Sequence, residues 1–232
     1  MRGTRVLLNA VESGLVRLLC RVDDAELTKI PLSGPLILIS NHVNFLEIPV
    51  LHSRLRPREV VGLAKAESWD NPLLGWLFNH WGAIPIRRGE GDIAALRSSL
   101  DVLKNGRILV VGPEGTRSHD GILRRGHPGV VTLAVKSGAP VLPMAFHGGE
   151  RFGHHARRLR RTPFHVAVGQ PFRVRPKATR LTHDVRQAVA DEIMYQLASL
   201  LPPAYRGFYA EPERGVPVHL EFDSSLGDVT AR

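Results

Sequence analysis

His42 is the one histidine in this 232-residue sequence that has a carboxylate, Glu47, five residues after it. Both lie in SNHVNFLEIPVL, residues 40–51, where a polar opening leads into an apolar run. An imidazole oriented by a carboxylate can act as a general base. With 11 histidines and 22 acidic residues, however, chance gives about one such pair at any fixed spacing. Two interpretations stay open at this point: a catalytic pair, or the polar edge of an ordinary helix.

The spacing restricts how such a pair could form. In one continuous helix, residues five apart lie about 140° apart around the axis, so their side chains would not meet. A contact requires a turn between them, with His42 before the helix and Glu47 near its first turn. Asn44 is a suitable cap, which predicts a helix from about Phe45 to Leu55.

Short apolar runs alternate along the chain with segments of helical periodicity. Strands are predicted at 34–40, 59–67, 82–88, 107–111, 140–148 and 164–174, and further helices at 71–81, 91–106, 128–138 and 182–202. Asn71 and Thr182 are predicted to cap two of these helices, and Asp92 lies near the start of a third. The alternation predicts a single α/β domain over 30–210, with a central, largely parallel mixed β-sheet flanked by helices. An N-terminal amphipathic helix (1–29) precedes the domain, and a weakly structured tail (211–232) follows it.

Three polar clusters directly follow predicted strands: NHVNFLE (41–47), RRGEGD (87–92) and PEGTRS (113–118). In open α/β sheets, ligands bind at the carboxyl ends of the strands. We therefore expect the three clusters to converge on one site.

Composition excludes several classes of protein. The hydrophobic content of 43% indicates a folded globular chain, and the net charge of +9 indicates an anionic partner. A single cysteine, Cys20, excludes an internal disulfide framework and a cysteine-rich metal site. No apolar run is long enough to predict a transmembrane helix, and charges at Glu12 and Arg17 argue against a signal peptide. Nucleotide-binding loops, the nucleophile elbow and the H-E-x-x-H motif are absent from the sequence.

Two basic or amphipathic segments suggest contact with a membrane. Apolar residues recur at helical spacing in the first segment: Val6, Leu7, Val11, Leu15, Leu18 and Leu19. This helix could pack on the protein's own core, lie on a bilayer, or do both. The segment 151–161 holds five arginines, which favours anionic lipid headgroups over a solvated loop and argues against a metal at His154 and His155.

Four segments in this order, NHVNFLE (41–47), GAIPIRRG (82–89), GPEGTRS (112–118) and VLPMAFHG (141–148), resemble the glycerolipid acyltransferase family. Its best-known members are the 1-acyl-glycerol-3-phosphate acyltransferases. The resemblance covers roughly residues 30–170, and PEGTRS, which matches the family block without change, is its most specific part. AKAES (64–68) and LPPAYRGFYA (201–210) also look like family segments.

The sequence departs from the family pattern at two positions. The first family block normally ends in Asp, where this chain has Glu47, although relatives that acylate lipid A use Glu there. An Asp usually precedes the arginine of the second block, where this chain has Arg87 before Arg88. The added positive charge could shift the preference among acceptors.

The resemblance implies roles for named residues. His42 would be the general base and Glu47 its orienting carboxylate, so no covalent intermediate is needed. Acceptor binding would fall to Lys65, Arg88, Glu114, Gly115, Thr116 and Arg117, with Arg124 and Arg125 as second choices. Arginines suit a phosphate because their forked geometry matches its oxygens. No metal and no cofactor are expected beyond an acyl-CoA or acyl carrier protein donor.

The implied function is transfer of a fatty acyl group to a lysophospholipid, first of all 1-acyl-glycerol-3-phosphate, at the cytoplasmic face of an anionic membrane. A different lyso-lipid, aminolipid or glycolipid acceptor is one alternative. A basic membrane-binding or lipid-binding protein without activity is another. Nucleic acid is not expected as a partner, because the basic residues are not interleaved with aromatic ones.

Overall fold

The computed structural model describes residues 2–87, 91–177 and 180–223. Within these ranges the helices are α1 (Arg2–Leu19), α2 (Glu47–Arg54), α3 (Pro72–Trp81), α4 (Ile93–Lys104), α5 (Gly129–Ser137), α6 (Phe152–Arg157) and α7 (His183–Ser199). The strands are β1 (Cys20–Asp23), β2 (Leu36–Ser40), β3 (Val60–Lys65), β4 (Ile84–Ile86), β5 (Ile108–Val111), β6 (Val141–His147), β7 (Thr162–Val168), β8 (Phe172–Val174) and β9 (Leu220–Phe222).

The described strands form one mixed sheet that is largely parallel. Its order is β1-β7-β6-β2-β5-β3-β4, with β8 pairing β6 and β9. The five strands β6, β2, β5, β3 and β4 all run in parallel, whereas β7 is antiparallel to β6. The predicted fold class is confirmed, and β2 lies inside the parallel part, between β5 and β6.

Strand β2 shows how the sheet is buried on both faces. Ile37 and Ile39 pack with α4, α5 and α7 on one face, and Leu36 and Leu38 pack with α1 and α2 on the other. A run of apolar residues without polar alternation is typical of a parallel strand covered by helices on both sides. This burial fixes where β2 ends, and His42 follows two residues later.

The helix caps predicted at Asn71 and Thr182 are confirmed, and Asp92 also caps the helix near whose start the sequence placed it. Asn71 Oδ1 accepts from the N–H groups of Leu73 and Leu74, Asp92 accepts from Ala95, and Thr182 Oγ1 accepts from Val185. Each of these side chains satisfies donors that the first turn of a helix leaves unpaired. The helices α3, α4 and α7 therefore begin where the sequence predicted.

The N-terminal helix is shorter than the predicted 1–29. It ends at Leu19, and residues 20–23 form β1, which pairs in parallel with β7. Cys20 is buried there, and its carbonyl accepts from Nη2 of Arg161 at 2.7 Å. The long-range pairing with β7 therefore ends the helix. A 3-10 helix, Ala25–Lys29, follows the strand.

The side of α1 that faces the protein carries the polar Glu12 as well as the buried Val16. Glu12 bonds the guanidinium of Arg56 and accepts from Trp81 Nε1 at 3.0 Å, which ties α1 to the end of α3. Elsewhere on the helix surface, Leu7, Leu15 and Leu18 are between 51% and 68% exposed. Most of the predicted apolar stripe therefore faces away from the core. Among the described residues, no helix has the length and apolar character needed to cross a bilayer.

The chain after α7 packs against the loop that follows β5. Tyr205 O accepts from Leu123 N at 2.9 Å, and Leu123 O in turn accepts from Phe208 N. The Tyr209 hydroxyl, fully buried, accepts from Gly126 N at 3.0 Å and donates to Asp191 Oδ1 at 2.7 Å. These bonds hold residues 123–126 against the segment that follows α7.

The tail also departs from the expectation of weak structure over 211–232. Residues Leu220–Phe222 form β9, which pairs with β8. His219 N donates to Glu192 Oε2 on α7 at 2.9 Å, and its ring nitrogen Nδ1 lies 2.7 Å from Glu192 Oε1. A buried Leu220 supplies the apolar contact that the weak pattern of the tail did not reveal. Residues 224–232 lie outside the described part.

Candidate active site

Polar segments at the carboxyl ends of β2, β5 and β6 meet at one edge of the sheet. Two of the three clusters expected to converge, NHVNFLE and PEGTRS, therefore do so, whereas residues 88–90 of the third, RRGEGD, lie outside the described residues. The buried Asn41 bridges the segments after β2 and β6: its Nδ2 donates to Phe146 O and its Oδ1 accepts from Phe146 N, both at 2.8 Å. On the other side, Ser118 N donates to His42 O at 2.8 Å. His42 is therefore held between the segments after β5 and β6.

Glu47 lies within bonding distance of His42, and its carboxylate is almost completely buried. His42 Nδ1 is 2.6 Å from Glu47 Oε2. The other oxygen, Oε1, accepts from the backbone N–H groups of Val43 at 3.1 Å and Asn44 at 2.8 Å. One carboxylate thus orients the imidazole and fixes the turn between the two residues, so the predicted arrangement of His42 before the helix is confirmed.

The predicted cap at Asn44 is not what begins α2. The helix starts at Glu47, with Leu46 in the capping position, instead of at Phe45. Asn44 Oδ1 accepts from Leu46 N at 2.8 Å, while its Nδ2 donates to Gly149 O at 2.6 Å. Asn44 therefore stabilises the turn and ties it to the end of β6, because Glu47 already takes the backbone donors of residues 43 and 44.

The partners of His42 determine its tautomer. A carboxylate only accepts, so Nδ1 carries a proton toward Glu47. Arg117 Nε lies 3.2 Å from His42 Nε2, and since a guanidinium only donates, Nε2 carries the lone pair. This is the neutral form in which an imidazole can take a proton. Arg117 is exposed, so the Nε2 side of the ring is the one that a ligand could reach.

Glu114 is buried and shapes the loop after β5 from the inside. Its Oε1 accepts from His42 N at 3.3 Å, and its Oε2 accepts from Arg124 N at 3.0 Å. Gly115 next to it has φ of 67°, and a Cβ at this position would lie 2.9 Å from the ring of His127. The tight turn therefore requires glycine, and Glu114 connects both ends of the loop to the backbone of His42.

Burial raises the pKa of Glu114 to about 7, even though the backbone N–H groups of Arg124 and His42 act in the opposite direction. Removing a carboxylate from water disfavours its charged form. The two N–H donors and the nearby imidazole offset only part of this penalty. Glu114 therefore changes its protonation near neutral pH.

The structure does not bring every predicted site residue to His42. Lys65 is exposed at the end of β3, separated from β2 by β5, and its Nζ is 3.4 Å from Glu67 Oε1. Thr116 is exposed on the same loop as Arg117. Arg88 lies outside the described residues. The second choices, Arg124 and Arg125, form ion pairs with Asp120 and Asp191 at 3.7 and 3.6 Å.

Sequence reasoning gave no role to two residues that position His42. Asn41 bridges β2 to β6, and Ser118 holds the His42 carbonyl through its N–H group. Asn41 lies in NHVNFLE and Ser118 in PEGTRS. The sequence therefore singled out both segments, but only for residues that would act on or bind a ligand. Within the described ranges, no group of three or more metal-ligating side chains is arranged to hold an ion.

Comparison with known proteins gives a family match. Residues 21–147, more than half of the chain, match the model of a family described as Acyltransferase. A lyso-ornithine lipid O-acyltransferase of Pseudomonas aeruginosa is 36% identical over 112 residues, which are 48% of this chain and 42% of that protein. A chloroplastic 1-acyl-sn-glycerol-3-phosphate acyltransferase of Brassica napus is 31% identical over 131 residues, which are 55% of this chain and 38% of that protein. The chain thus spans about two fifths of the length of both relatives.

A solved structure shares the fold. The 1-acyl-sn-glycerophosphate acyltransferase PlsC of Thermotoga maritima superimposes with a TM-score of 0.57 over 86% of this chain and 80% of its own. The sequence identity is 22%, so this likeness concerns the fold alone.

The raised pKa of Glu114 predicts a pH-dependent stability. Since the folded state binds this proton more tightly than the unfolded state, the stabilisation is complete below the ordinary pKa of 4.5 and is lost as pH rises toward 7. The corresponding free energy is about 3 kcal/mol. Glu114→Gln cannot titrate, so the wild type should lose unfolding free energy relative to this variant between pH 4.5 and 7.5.

Denaturant unfolding at several pH values measures this difference. Glu59→Gln is the matched control, because Glu59 is exposed and pairs only at the surface with Arg107. Its curve should run parallel to that of the wild type. Parallel curves for Glu114→Gln as well would contradict the assigned shift.

Proposed function

Because this chain belongs to the acyltransferase family, we propose that it transfers a fatty acyl group from an acyl thioester to the free hydroxyl of a lysophospholipid. The donor is acyl-CoA or an acyl carrier protein, and no other cofactor takes part. The preferred acceptor is 1-acyl-glycerol-3-phosphate, which gives phosphatidic acid.

His42 and Glu47 are the catalytic pair of this proposal. Nε2 of His42 takes the proton of the acceptor hydroxyl, whose oxygen attacks the thioester carbonyl. The new C–O bond forms, the C–S bond breaks, and the imidazolium returns the proton to the leaving thiolate. Glu47 holds the required tautomer and stabilises the imidazolium while it carries the positive charge.

The single observation that carries the proposal is the Nδ1–Oε2 contact of 2.6 Å between His42 and Glu47. It directs the basic nitrogen away from the buried carboxylate and toward the exposed side of the site. The family match gives this geometry its chemical meaning, because a base beside an exposed surface could serve many reactions.

The acceptor phosphate is proposed to bind the arginines near the strand ends. Arg117 is already next to the base; Lys65, at the end of β3, and Arg88, which follows β4 in the sequence, are proposed to complete the anionic subsite. The loop residues Glu114, Gly115 and Thr116 would shape the space for the glycerol. Arginine suits this role because its fork gives two parallel hydrogen bonds to a phosphate.

A second candidate acceptor is a lyso-ornithine lipid. It is favoured by the lyso-ornithine lipid O-acyltransferase of Pseudomonas aeruginosa, which is 36% identical over 112 residues. Such an acceptor lacks a phosphate, so it would make little use of Arg88 and Arg117.

We also propose that the protein binds peripherally to the cytoplasmic face of an anionic membrane. Leu73 and Trp76 on α3, which are 72% and 52% exposed, add to the exposed apolar side chains of α1. The net charge of +9 would attract the protein to anionic lipid headgroups. An acceptor with an acyl chain would reach the site from that surface.

Assay of the purified protein with an acyl thioester and a panel of lyso-lipids tests the proposed activity. Lysophosphatidate should be the best acceptor, and His42→Ala should lower the rate by a factor of about 10² to 10⁴ without unfolding the protein. Lyso-ornithine lipid as the best acceptor would favour the second candidate. A His42→Ala variant that keeps a third of the wild-type rate would exclude His42 as the base.

Glu47→Gln should abolish most of the activity while the fold persists. If its amide oxygen keeps the bonds to Val43 and Asn44, its –NH₂ group faces His42 Nδ1. Nδ1 must then accept, so the proton moves to Nε2 and the base is lost. Glu47→Asp keeps the charge and should retain more activity than Gln. Rates measured beside Glu59→Gln, an exposed control, test this; equal rates for all variants would show that Glu47 is not catalytic.

Membrane binding should depend on both the charge and the exposed leucines of α1. Sedimentation with vesicles should increase with anionic lipid content and decrease with salt, because salt screens the attraction. The variant Leu7→Glu/Leu15→Glu should bind less, as should a protein without residues 1–19, which include all of α1 and stop before β1. Leu32→Glu is the control, since Leu32 is 75% exposed but precedes β2 at the opposite end of the strand from His42. Vesicle binding that depends neither on salt nor on the substitutions and truncation of α1 would refute the proposal.

A further inference from the structure

Arg117 occupies the nitrogen that the proposed reaction needs. Its Nε–H points to the lone pair of His42 Nε2 at 3.2 Å, so a hydroxyl cannot donate to the same lone pair without displacing it. The opposite nitrogen is held by the buried Glu47, which leaves the imidazole no simple rotation to another arrangement. In this state His42 has the tautomer that the reaction needs, but Arg117 occupies the lone pair of its Nε2.

We propose that Arg117 determines acceptor specificity by covering the base until an anionic acceptor draws it away. This inference rests on the proposed function. A phosphate offers Arg117 a charged, two-pronged partner, whereas neutral Nε2 offers a single uncharged acceptor. Binding of the acceptor phosphate would therefore release Nε2 at the moment when the hydroxyl of the same molecule arrives.

The position of Arg117 makes this exchange possible. The side chain is exposed, so it can leave His42 without breaking buried contacts. Its backbone is fixed on both sides, because Ser118 N donates to His42 O and Glu114 accepts from His42 N. The guanidinium can swing to a neighbouring phosphate while the loop stays in place.

The covered base also limits a side reaction. Water can replace the acceptor hydroxyl, attack the thioester carbonyl and release a fatty acid and a thiol. Both reactions need the lone pair of Nε2. An enzyme in which Arg117 covers this lone pair would waste little thioester in the absence of acceptor, and a phosphate-free alcohol would also react slowly.

Arg117→Ala should therefore change two rates in opposite directions. Hydrolysis of the acyl thioester without acceptor should rise about fivefold, the factor that corresponds to one ordinary hydrogen bond on the base. Transfer to lysophosphatidate should fall, because the phosphate loses a partner. Arg97→Ala, which removes an exposed arginine from α4, is the matched control and should change neither rate. His42→Ala/Arg117→Ala should lose the extra hydrolysis.

Measurement of thiol release, with and without acceptor, distinguishes the outcomes. If the wild type transfers acyl groups but Arg117→Ala hydrolyses thioester no faster than Arg97→Ala, the inference is wrong while the proposed function stands. If Arg117→Ala lowers both rates equally, Arg117 supports the site and does not cover the base.

A second measurement does not depend on activity. The ¹⁵N resonance of His42 Nε2 should move when inorganic phosphate is added to the wild type, at constant ionic strength set with chloride. It should move toward its position in Arg117→Ala, which should itself respond little. The same Nε2 resonance in both proteins, insensitive to phosphate, would overturn the inference even if no lyso-lipid proved to be a substrate.

Discussion

The carboxylate of Glu47 is the contact on which the site depends. It receives three donors, the imidazole Nδ1 of His42 and the backbone N–H groups of Val43 and Asn44. A single buried charge thus closes the turn, begins α2 and fixes the proton on one ring nitrogen. A charged acceptor suits this task because its bonds to N–H groups are stronger than those of a neutral one. The spacing of five residues follows from the same contact, since a turn must fit between the two side chains.

The sheet supplies the frame around this turn. Parallel strands bring their carboxyl ends to one edge, and Asn41 and Glu114 then join the segments that leave β2, β5 and β6 through bonds to backbone groups. Because these bonds are made to backbone groups, the positions of the segments do not depend on which side chains line the open surface. The frame can therefore be kept while Thr116, Arg117 or residues 87–88 vary with the ligand.

Sequence reasoning found what local rules determine. Helical periodicity excluded a direct helix contact between His42 and Glu47, and capping chemistry located Asn71, Asp92 and Thr182. It could not find β1, because that strand is specified by pairing with β7 about 140 residues away. Nor could sequence reasoning tell which side of α1 faces the protein: an apolar stripe normally faces a core, whereas here most of the stripe is exposed and Glu12 faces the protein, bound by Arg56 and Trp81. The contact of Arg117 with His42 joins residues 75 apart and has no local signature.

The bonds from Tyr205, Phe208 and Tyr209 to residues 123–126 link the site to a late part of the chain. Residues 21–147 carry the family match, yet the loop that positions Glu114 is braced by a segment that follows it in the sequence by 83 residues at the Gly126–Tyr209 contact. During synthesis the ribosome delivers His42, Glu47 and Arg117 well before this brace exists. The nascent chain therefore contains the residues of the candidate site before it contains the segment that braces their loop.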